Sequence, residues 1–151
     1  MKLSETSIKR FIDTWPVARL ATLNGEGRPH QVPVVFVHYE GILWSPVDGK
    51  PKRAAELARI ANAIANPSAS LLLDHYADDW SQLWWLRIDV ELQVHRLNMD
   101  DGNPLATATA GAVEALRRKY AQYEGIPVLR DPPTLLCMQP LNISSWCATP
   151  C

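Results

Sequence analysis

The chain lacks an excess of either charge and any long apolar run. Among its 151 residues, 15 are Lys or Arg and 16 are Asp or Glu, which gives a net charge of −1. This balance removes the strong positive charge that is typical of nucleic-acid-binding proteins. No apolar run approaches the ~20 residues that a membrane-spanning helix needs, and the first residues are charged rather than apolar. We therefore expect no nucleic-acid partner, no membrane partner and no signal peptide.

Cysteine is also scarce. The three cysteines, Cys137, Cys147 and Cys151, are an odd number and contain no C-x-x-C pair. Small secreted domains usually carry an even set of cysteines that form disulfides, whereas thiols stay reduced inside the cell. We therefore expect a cytoplasmic protein.

Several motifs that carry chemistry are missing. The sequence contains no P-loop, no G-x-G-x-x-G dinucleotide motif and no G-x-S-x-G nucleophile motif. The four histidines show no H-x-x-x-H spacing. Asp74 and His75 open an acidic run that could hold a metal, but strand alternation sends these two side chains to opposite faces. We expect no metal site, and the sequence identifies no catalytic acid or base.

Hydrophobic periodicity and turn residues indicate an α+β fold that is mainly β. Strands are predicted over 17–23, 29–39, 42–47, 70–75, 84–95 and 134–146. Helices are predicted to begin at Ser4, near Pro51 and before Val113, and Pro33 places its strand at an edge or a bulge. Six mostly antiparallel strands in one domain spanning residues 1–151 predict a split β-barrel, closed or covered at its edges.

The strand over 84–95 shows the clearest alternation in the chain. Trp84, Leu86 and Ile88 alternate with polar residues, so one face of this strand is apolar and the other is polar. Trp85 nevertheless lies on the polar face, beside Arg87. Most tryptophans are core or interface anchors, but an exposed indole next to a cation indicates a subunit interface or a platform for a planar ligand.

Positive charge is concentrated where a strand leads into a predicted helix. Lys50, Lys52 and Arg53 surround Pro51, which is predicted to lie near the first helical position. A helix N-terminus is already positive, so cations there are costly unless an anion binds among them. The segment is either a phosphate site or a solvated basic surface. Together with a β-barrel wall and the exposed aromatics, a phosphate site fits a flavin-like nucleotide.

The chain resembles the pyridoxamine 5′-phosphate oxidase-like split-barrel flavoproteins, which bind FMN. Within them, it is similar to the branch of probable deazaflavin (coenzyme F-420)-dependent oxidoreductases. The resemblance extends from about Phe11 to Trp146. The general motifs are Val17-Ala18-Arg19-Leu20-Ala21-Thr22, Gly27-Arg28-Pro29-His30, Pro33-Val34, Lys50-Pro51-Lys52-Arg53 and Asn66-Pro67-Ser68-Ala69-Ser70-Leu71. The more specific run is Asp74-His75-Tyr76-Ala77-Asp78-Asp79-Trp80-Ser81 through Leu83-Trp84-Trp85-Leu86-Arg87.

This resemblance implies a homodimer with two cofactor sites at its interface. Lys50 and Lys52 match the positions that contact the cofactor phosphate, with Arg53 as an additional contact. Three positions match the strands that line the cofactor ring: Thr22, Pro33 and Val34. Ser45 matches a position on the ring or ribityl side of the cofactor. Trp85 and Arg87 are candidates for the interface side, from the alternation of their strand rather than from a family motif.

The expected activity follows from the same resemblance. The cofactor supplies the hydride chemistry and the protein orients it, so we expect an oxidoreductase acting on a small organic substrate. Arg53 and Arg59 are predicted to lie on one helix, where they could contact the anionic tail of F-420, so F-420 is the expected cofactor and FMN the alternative. Many members of the wider family hold vitamin B6 substrates with a C-terminal arginine motif. No arginine follows Arg130 here, so pyridoxamine phosphate oxidation itself is not expected. A flavin- or haem-type binding or storage protein without turnover is the alternative function.

Overall fold

The computed structural model describes residues 1–49, 57–97 and 106–150. These residues form an α+β fold, as expected. The elements are α1 (Glu5–Thr14), β1 (Ala18–Leu23), β2 (Pro29–Val34), β3 (Val37–Tyr39), β4 (Ile42–Pro46), α2 (Ala58–Ala65), β5 (Ser68–His75), β6 (Trp84–Arg96), α3 (Ala106–Lys119) and β7 (Thr134–Cys147).

The described strands form one seven-stranded antiparallel sheet rather than the predicted six-stranded barrel. Its order is β2-β1-β5-β6-β7-β4-β3. The extra strand arises because the predicted strand over 29–39 is interrupted at Val35 and Phe36, and its two halves become β2 and β3. Pro33 lies in β2, an edge strand, as predicted.

The two edge strands of this sheet are consecutive in sequence. β2 ends at Val34 and β3 begins at Val37, and the three residue steps between these ends span at most about 10 Å. The sheet must therefore curl until its opposite edges approach each other at this corner. Within the described residues no ladder pairs β2 with β3, so the prediction of closure through hydrogen bonds is wrong.

Tyr120, which follows α3, holds this corner together. The backbone N–H of Phe36 donates to the Tyr120 hydroxyl at 3.0 Å. That hydroxyl lies 2.8 Å from the carbonyl oxygen of Phe36 and 2.9 Å from that of Pro16, and its single hydrogen serves one of them at a time. Burial raises the pKa of Tyr120 to about 12, so the hydroxyl is neutral at physiological pH.

The sheet carries an apolar cluster on each face. The inner, concave face is filled by large aliphatic residues of β1, β5 and β6, and Phe11 of α1 stacks on Trp84 with ring centroids 3.9 Å apart. On the outer face, α3 packs over β3, β4 and β7, where Leu116 and Trp44 are fully buried. Both faces of the first half of β7 are therefore covered.

The helix α2 begins later than predicted. Leu57 is extended, with φ −81° and ψ 135°, and α2 starts only at Ala58. The predicted first turn with Lys52 and Arg53 lies outside the described residues. Ile60, Asn62 and Ala63 of α2 are buried, and the Asn62 amide donates to the Thr22 hydroxyl, whereas Ile64 is 62% exposed.

Candidate functional site

Half of the outer face is not covered by any helix among the described residues. α3 covers β3, β4 and β7, whereas the outer side chains of β1, β5 and β6 face outwards. Arg19 and Arg87 are exposed there, and Leu72 and Trp85 are half-buried. This alternation of β6 agrees with the sequence prediction from Trp84 to Glu91.

A cavity of about 450 Å³ lies on this uncovered half. We call it the outer cavity. Its walls are mainly aromatic and aliphatic, with a few charged groups, and the residues used below are Arg19, Leu72, Asp74, His75, Tyr76, Trp84, Trp85, Arg87 and Trp146. Trp85 and Trp146 are direct partners in the β6–β7 ladder, so their indoles are neighbours on the same face.

The charged groups of the outer cavity are only partly paired. Arg19 Nε lies 3.1 Å from Asp74 Oδ1 and forms an ion pair across β1 and β5. Arg87 Nε lies 3.7 Å from Asp89 Oδ1, and both side chains are about half exposed. Exposed pairs of this kind contribute little to stability, typically ~0–1 kcal/mol. The guanidinium of Arg87 is therefore accessible to an anionic ligand.

Aromatic packing fixes the inner end of the same cavity. Trp15 meets Trp84 edge to face, with centroids 4.7 Å apart, and meets His75 at 5.8 Å. Asp74 and His75 alternate as predicted, yet both line the cavity because it extends over the end of β5. Among the described residues no group of three or more His, Cys, Asp or Glu side chains could hold a metal ion.

The predicted ring-side residues do not share one face of the sheet. Thr22, Val34 and Ser45 are all buried, and the Thr22 hydroxyl accepts a hydrogen bond from the Asn62 amide at 2.9 Å. Pro33 is exposed and pairs with Arg19, so it lies on the outer face. The structure therefore brings Pro33, Trp85 and Arg87 to the outer face and the other three side chains to the interior.

Ser45 nevertheless has an unusual environment. Its side chain is 1% exposed, and within the described residues its hydroxyl has no hydrogen-bond partner. A buried polar group left unpaired costs about 1–3 kcal/mol. Ser45 lies in β4, a few residues before Lys50, so an unsatisfied hydroxyl occurs on the strand that leads to the predicted phosphate-binding segment. This position is compatible with a contact to a polar cofactor chain.

The predicted phosphate-binding residues Lys50, Lys52 and Arg53 lie outside the described residues. The described residues next to this segment are cationic. Arg96 and Arg130 line a small cavity of about 60 Å³ together with Leu57, the N-cap of α2. The first turn of α2 contains Arg59 and no acidic residue, so the positive end of this helix is not neutralised by its own side chains.

Arg59, which the sequence predicts as a contact for the anionic tail of F-420, is partly buried. Burial is the main cause that lowers the pKa of its guanidinium, the nearby carboxylate of Asp48 opposes that effect, and Arg130 adds to it. Asp48 is itself buried and accepts a hydrogen bond from the Tyr123 hydroxyl at 3.0 Å. Tyr123, whose pKa is raised mainly by burial and further by Asp48, therefore donates as a neutral phenol.

The outer cavity and the described residues that flank the predicted phosphate-binding segment lie at opposite ends of β6. Trp85 is near the start of this strand, whereas Arg96, beside the segment, is its last residue. Eleven residue steps at about 3.3 Å each correspond to about 35 Å along the strand, less where the strand bends. A flavin mononucleotide is much shorter than this. Trp85 and Arg96 of one protomer are therefore too far apart to contact one flavin mononucleotide.

Sequence reasoning missed part of the outer cavity. Three of its residues come from three different strands: Arg19, Asp74 and Trp146. They meet because Trp85 pairs with Asp74 on one side and with Trp146 on the other, and because Arg19 forms the ion pair with Asp74. Alternation within each strand could have assigned these side chains to one face. Nothing in the sequence gives the pairing register that brings them together.

Comparison with solved structures defines the class of fold. The FAD-binding protein mll6688 of Mesorhizobium loti matches with a TM-score of 0.68 and 16% identity, over 96% of this chain and 95% of that chain. The haem storage protein HutZ of Vibrio cholerae matches with a TM-score of 0.66 and 18% identity, over 97% and 95%. A structure described as an F420 reductase matches with a TM-score of 0.55 and 13% identity, over 90% and 94%.

The fold is thus that of the pyridoxamine 5′-phosphate oxidase-like proteins, as the sequence resemblance implied. No family model and no curated protein sequence matches the chain. At identities this low the likeness establishes the fold, and what each neighbour binds is a property of that neighbour. No helix in the described ranges is both long and apolar enough to span a membrane.

Proposed function

We propose that this protein binds a flavin-type cofactor as a homodimer and transfers a hydride between that cofactor and a small organic substrate. The observation that carries the proposal is the uncovered outer face of β1, β5 and β6, with an aromatic cavity that contains Trp85 and Arg87. This feature occurs in a fold whose solved examples include an FAD-binding protein and an F420 reductase.

The two ends of the proposed cofactor site come from different protomers. Lys50 and Lys52, with Arg53, bind the phosphate as charge-assisted donors. We assign Trp85 and Arg87 to the ring from the second copy, because the outer cavity and the described residues that flank the phosphate-binding segment lie at opposite ends of β6. Burying the half-exposed Trp85 and the exposed Trp146 in such an interface removes apolar surface from water.

Within each protomer, four further strand positions face the proposed ring and ribityl chain. Pro33 contributes from the outer face of β2, whereas Thr22 and Val34 contribute through their strands rather than through their inward side chains. The unpaired hydroxyl of Ser45 offers a hydrogen bond on the ribityl side. When bound, a flavin-type ring supplies the hydride chemistry, and these residues orient it and exclude water.

We favour the deazaflavin F-420 over FMN as the cofactor. The two share a ribityl phosphate, so a phosphate site alone accepts either. F-420 carries an additional anionic tail, and the arginines beside the predicted phosphate segment, Arg96 and Arg130, give this end of the sheet further positive charge. This support replaces the predicted pairing of Arg53 and Arg59 on one helix, because α2 begins only at Ala58.

A binding or storage protein without turnover is the second candidate. The observation in its favour is the match to a haem storage protein with the same fold. The described part of the outer cavity contains no pair of a nucleophile and a base that would by itself identify an enzyme.

We place the protein in the cytoplasm, because Cys137 and Cys147 are buried free thiols.

The test is titration of F-420 and of FMN into the apo protein, followed by cofactor fluorescence. Lys50→Ala and Lys52→Ala should each weaken binding about tenfold or more, because a charge-assisted hydrogen bond contributes ~1.5–3 kcal/mol. Lys2→Ala, at the far N-terminus, is the matched control. Unchanged affinity in both variants would remove the segment from the site. Tighter binding of FMN, with reduction of FMN alone by an electron donor, would overturn the choice of F-420.

A further inference from the structure

We propose that the outer cavity binds the substrate, and that this substrate is a planar aromatic anion. The proposal deepens the proposed function, because it assigns the substrate class of the same site. The cavity volume of about 450 Å³ lies within the range of small-molecule pockets. It can accommodate a ligand of one or two fused rings.

The aromatic walls of the cavity favour a planar ligand. Trp85 and Trp146 stand side by side on paired positions of β6 and β7, and Leu72 lies on the neighbouring strand β5. Tyr76 is 79% exposed and Trp146 is 38% exposed at the same cavity. Offset or edge-to-face contacts with flat rings are the favourable arrangement for such side chains, and a flat ligand would cover apolar surface that water now contacts.

The charged groups favour an anion. Arg19 is neutralised by Asp74 at 3.1 Å, and both line the cavity. Arg87 also lines it, but its partner Asp89 lies at 3.7 Å and is not part of the wall. Counting the charged lining residues therefore leaves one positive charge. A guanidinium presents paired N–H donors that match the two oxygens of a carboxylate, so a carboxylate next to the ring system is the expected group.

The position of the cavity also fits the proposed site. It lies in the face through which the second protomer is proposed to contact the cofactor ring, beside Trp85. A substrate in the cavity would therefore lie beside Trp85, next to the cofactor ring that would supply the hydride chemistry when bound. Packing of the first protomer, which would hold the cofactor, against this face would exclude water from this contact.

The experiment uses 2-naphthoate as a probe and isothermal titration calorimetry with the full chain. We expect saturable binding of 2-naphthoate and much weaker binding of 2-naphthylmethylamine, which has the same rings and the opposite charge. Arg87→Gln should weaken 2-naphthoate binding about tenfold or more. Arg87→Lys, which keeps the charge but loses the planar guanidinium, should give a smaller loss. Arg28→Gln, at an exposed arginine in the β1–β2 turn, is the matched control and should have no effect.

Three results would overturn the proposal: equal binding of the amine and the acid, unchanged affinity in Arg87→Gln, or an equal loss in Arg28→Gln. Circular dichroism of each variant verifies its fold. Repeating the titration with cofactor-loaded protein separates the two proposals. Displacement of 2-naphthoate by cofactor would mean that the cavity holds the cofactor ring, which contradicts a substrate site. Retained 2-naphthoate binding in a protein that binds neither F-420 nor FMN would refute the proposed function and leave the cavity assignment standing.

Discussion

The Tyr120 hydroxyl is expected to be one of the most important polar groups for stability, and Tyr120→Phe tests this directly. The substitution leaves the ring in place and removes a single oxygen. That oxygen accepts from the Phe36 N–H at 3.0 Å and donates to the carbonyl of Phe36 or Pro16. These contacts lie in the interior and join segments 84 and 104 residues apart in sequence.

The magnitude follows from what the substitution leaves unpaired. The buried N–H of Phe36 loses its partner, and an unsatisfied buried donor costs about 1–3 kcal/mol. The carbonyl that loses the donated hydrogen bond adds about 0.5–1.5 kcal/mol. We therefore expect Tyr120→Phe to lower the free energy of unfolding by about 2–4 kcal/mol. For a chain of this length, each kcal/mol corresponds to about 2–4 °C in Tm.

Urea denaturation followed by circular dichroism, at one fixed protein concentration, measures this loss. The denaturation midpoint should fall while its slope stays the same, because the exposed surface on unfolding is unchanged. Tyr76→Phe is the matched control, since Tyr76 is 79% exposed and should lose no stability. A loss below about 0.5 kcal/mol in Tyr120→Phe would refute the view that this hydroxyl holds the sheet corner.

Three further predictions concern other parts of the molecule. Gly111→Ala should destabilise the fold by about 1–3 kcal/mol in urea denaturation, because the new Cβ would overlap the Tyr39 ring where α3 crosses β3. The additional change Tyr39→Leu should restore part of this loss. Burial lowers the pKa of Lys119 to about 8, against about 10.5 in the unfolded chain, so the unfolded chain binds more protons between these pH values. The free energy of unfolding should therefore rise from pH 8 to 10. Urea midpoints measured across this pH range should show the rise in the wild type and not in Lys119→Met. Light scattering at low micromolar concentration should give the mass of a dimer. Trp85→Glu should weaken this dimer, whereas Trp80→Glu, at a side chain that is 71% exposed, should not. A stable wild-type monomer would contradict the proposed dimer.

Much of the fold was predictable because its signals are local. The alternation of Trp84, Leu86 and Ile88 gave the position, type and inward face of β6, since a strand with one buried face has a period of two. The turn at Asn24 and the edge position of Pro33 were equally accessible, because they depend on side chains that act within a few residues.

The errors concern features that depend on distant residues. The interruption at Phe36 is fixed by Tyr120, which is 84 residues away and cannot be inferred from the apolar run of that strand. The orientation of α2, which buries Asn62 and leaves Ile64 exposed, depends on the hydrogen bond from Asn62 to Thr22 in β1. The outer cavity likewise requires the ladder register that pairs Trp85 with Trp146. Local sequence gives faces of single strands, whereas sites arise from the relative placement of several strands.

The curled sheet has a consequence for self-association. Each unpaired strand edge of a sheet is a template on which another chain can add a strand. Here both edges, β2 and β3, start from the single corner at Val35 and Phe36, so one neighbouring element can protect the two together. α1 packs against β3 beside this corner, and Lys119 fastens it there by donating to the Ile12 carbonyl at 3.2 Å while its ammonium lies 3.9 Å from the centre of the Phe36 ring. α1 thus packs against the edge strand β3, where it obstructs the addition of a strand from another chain, and Lys119 contributes to this packing.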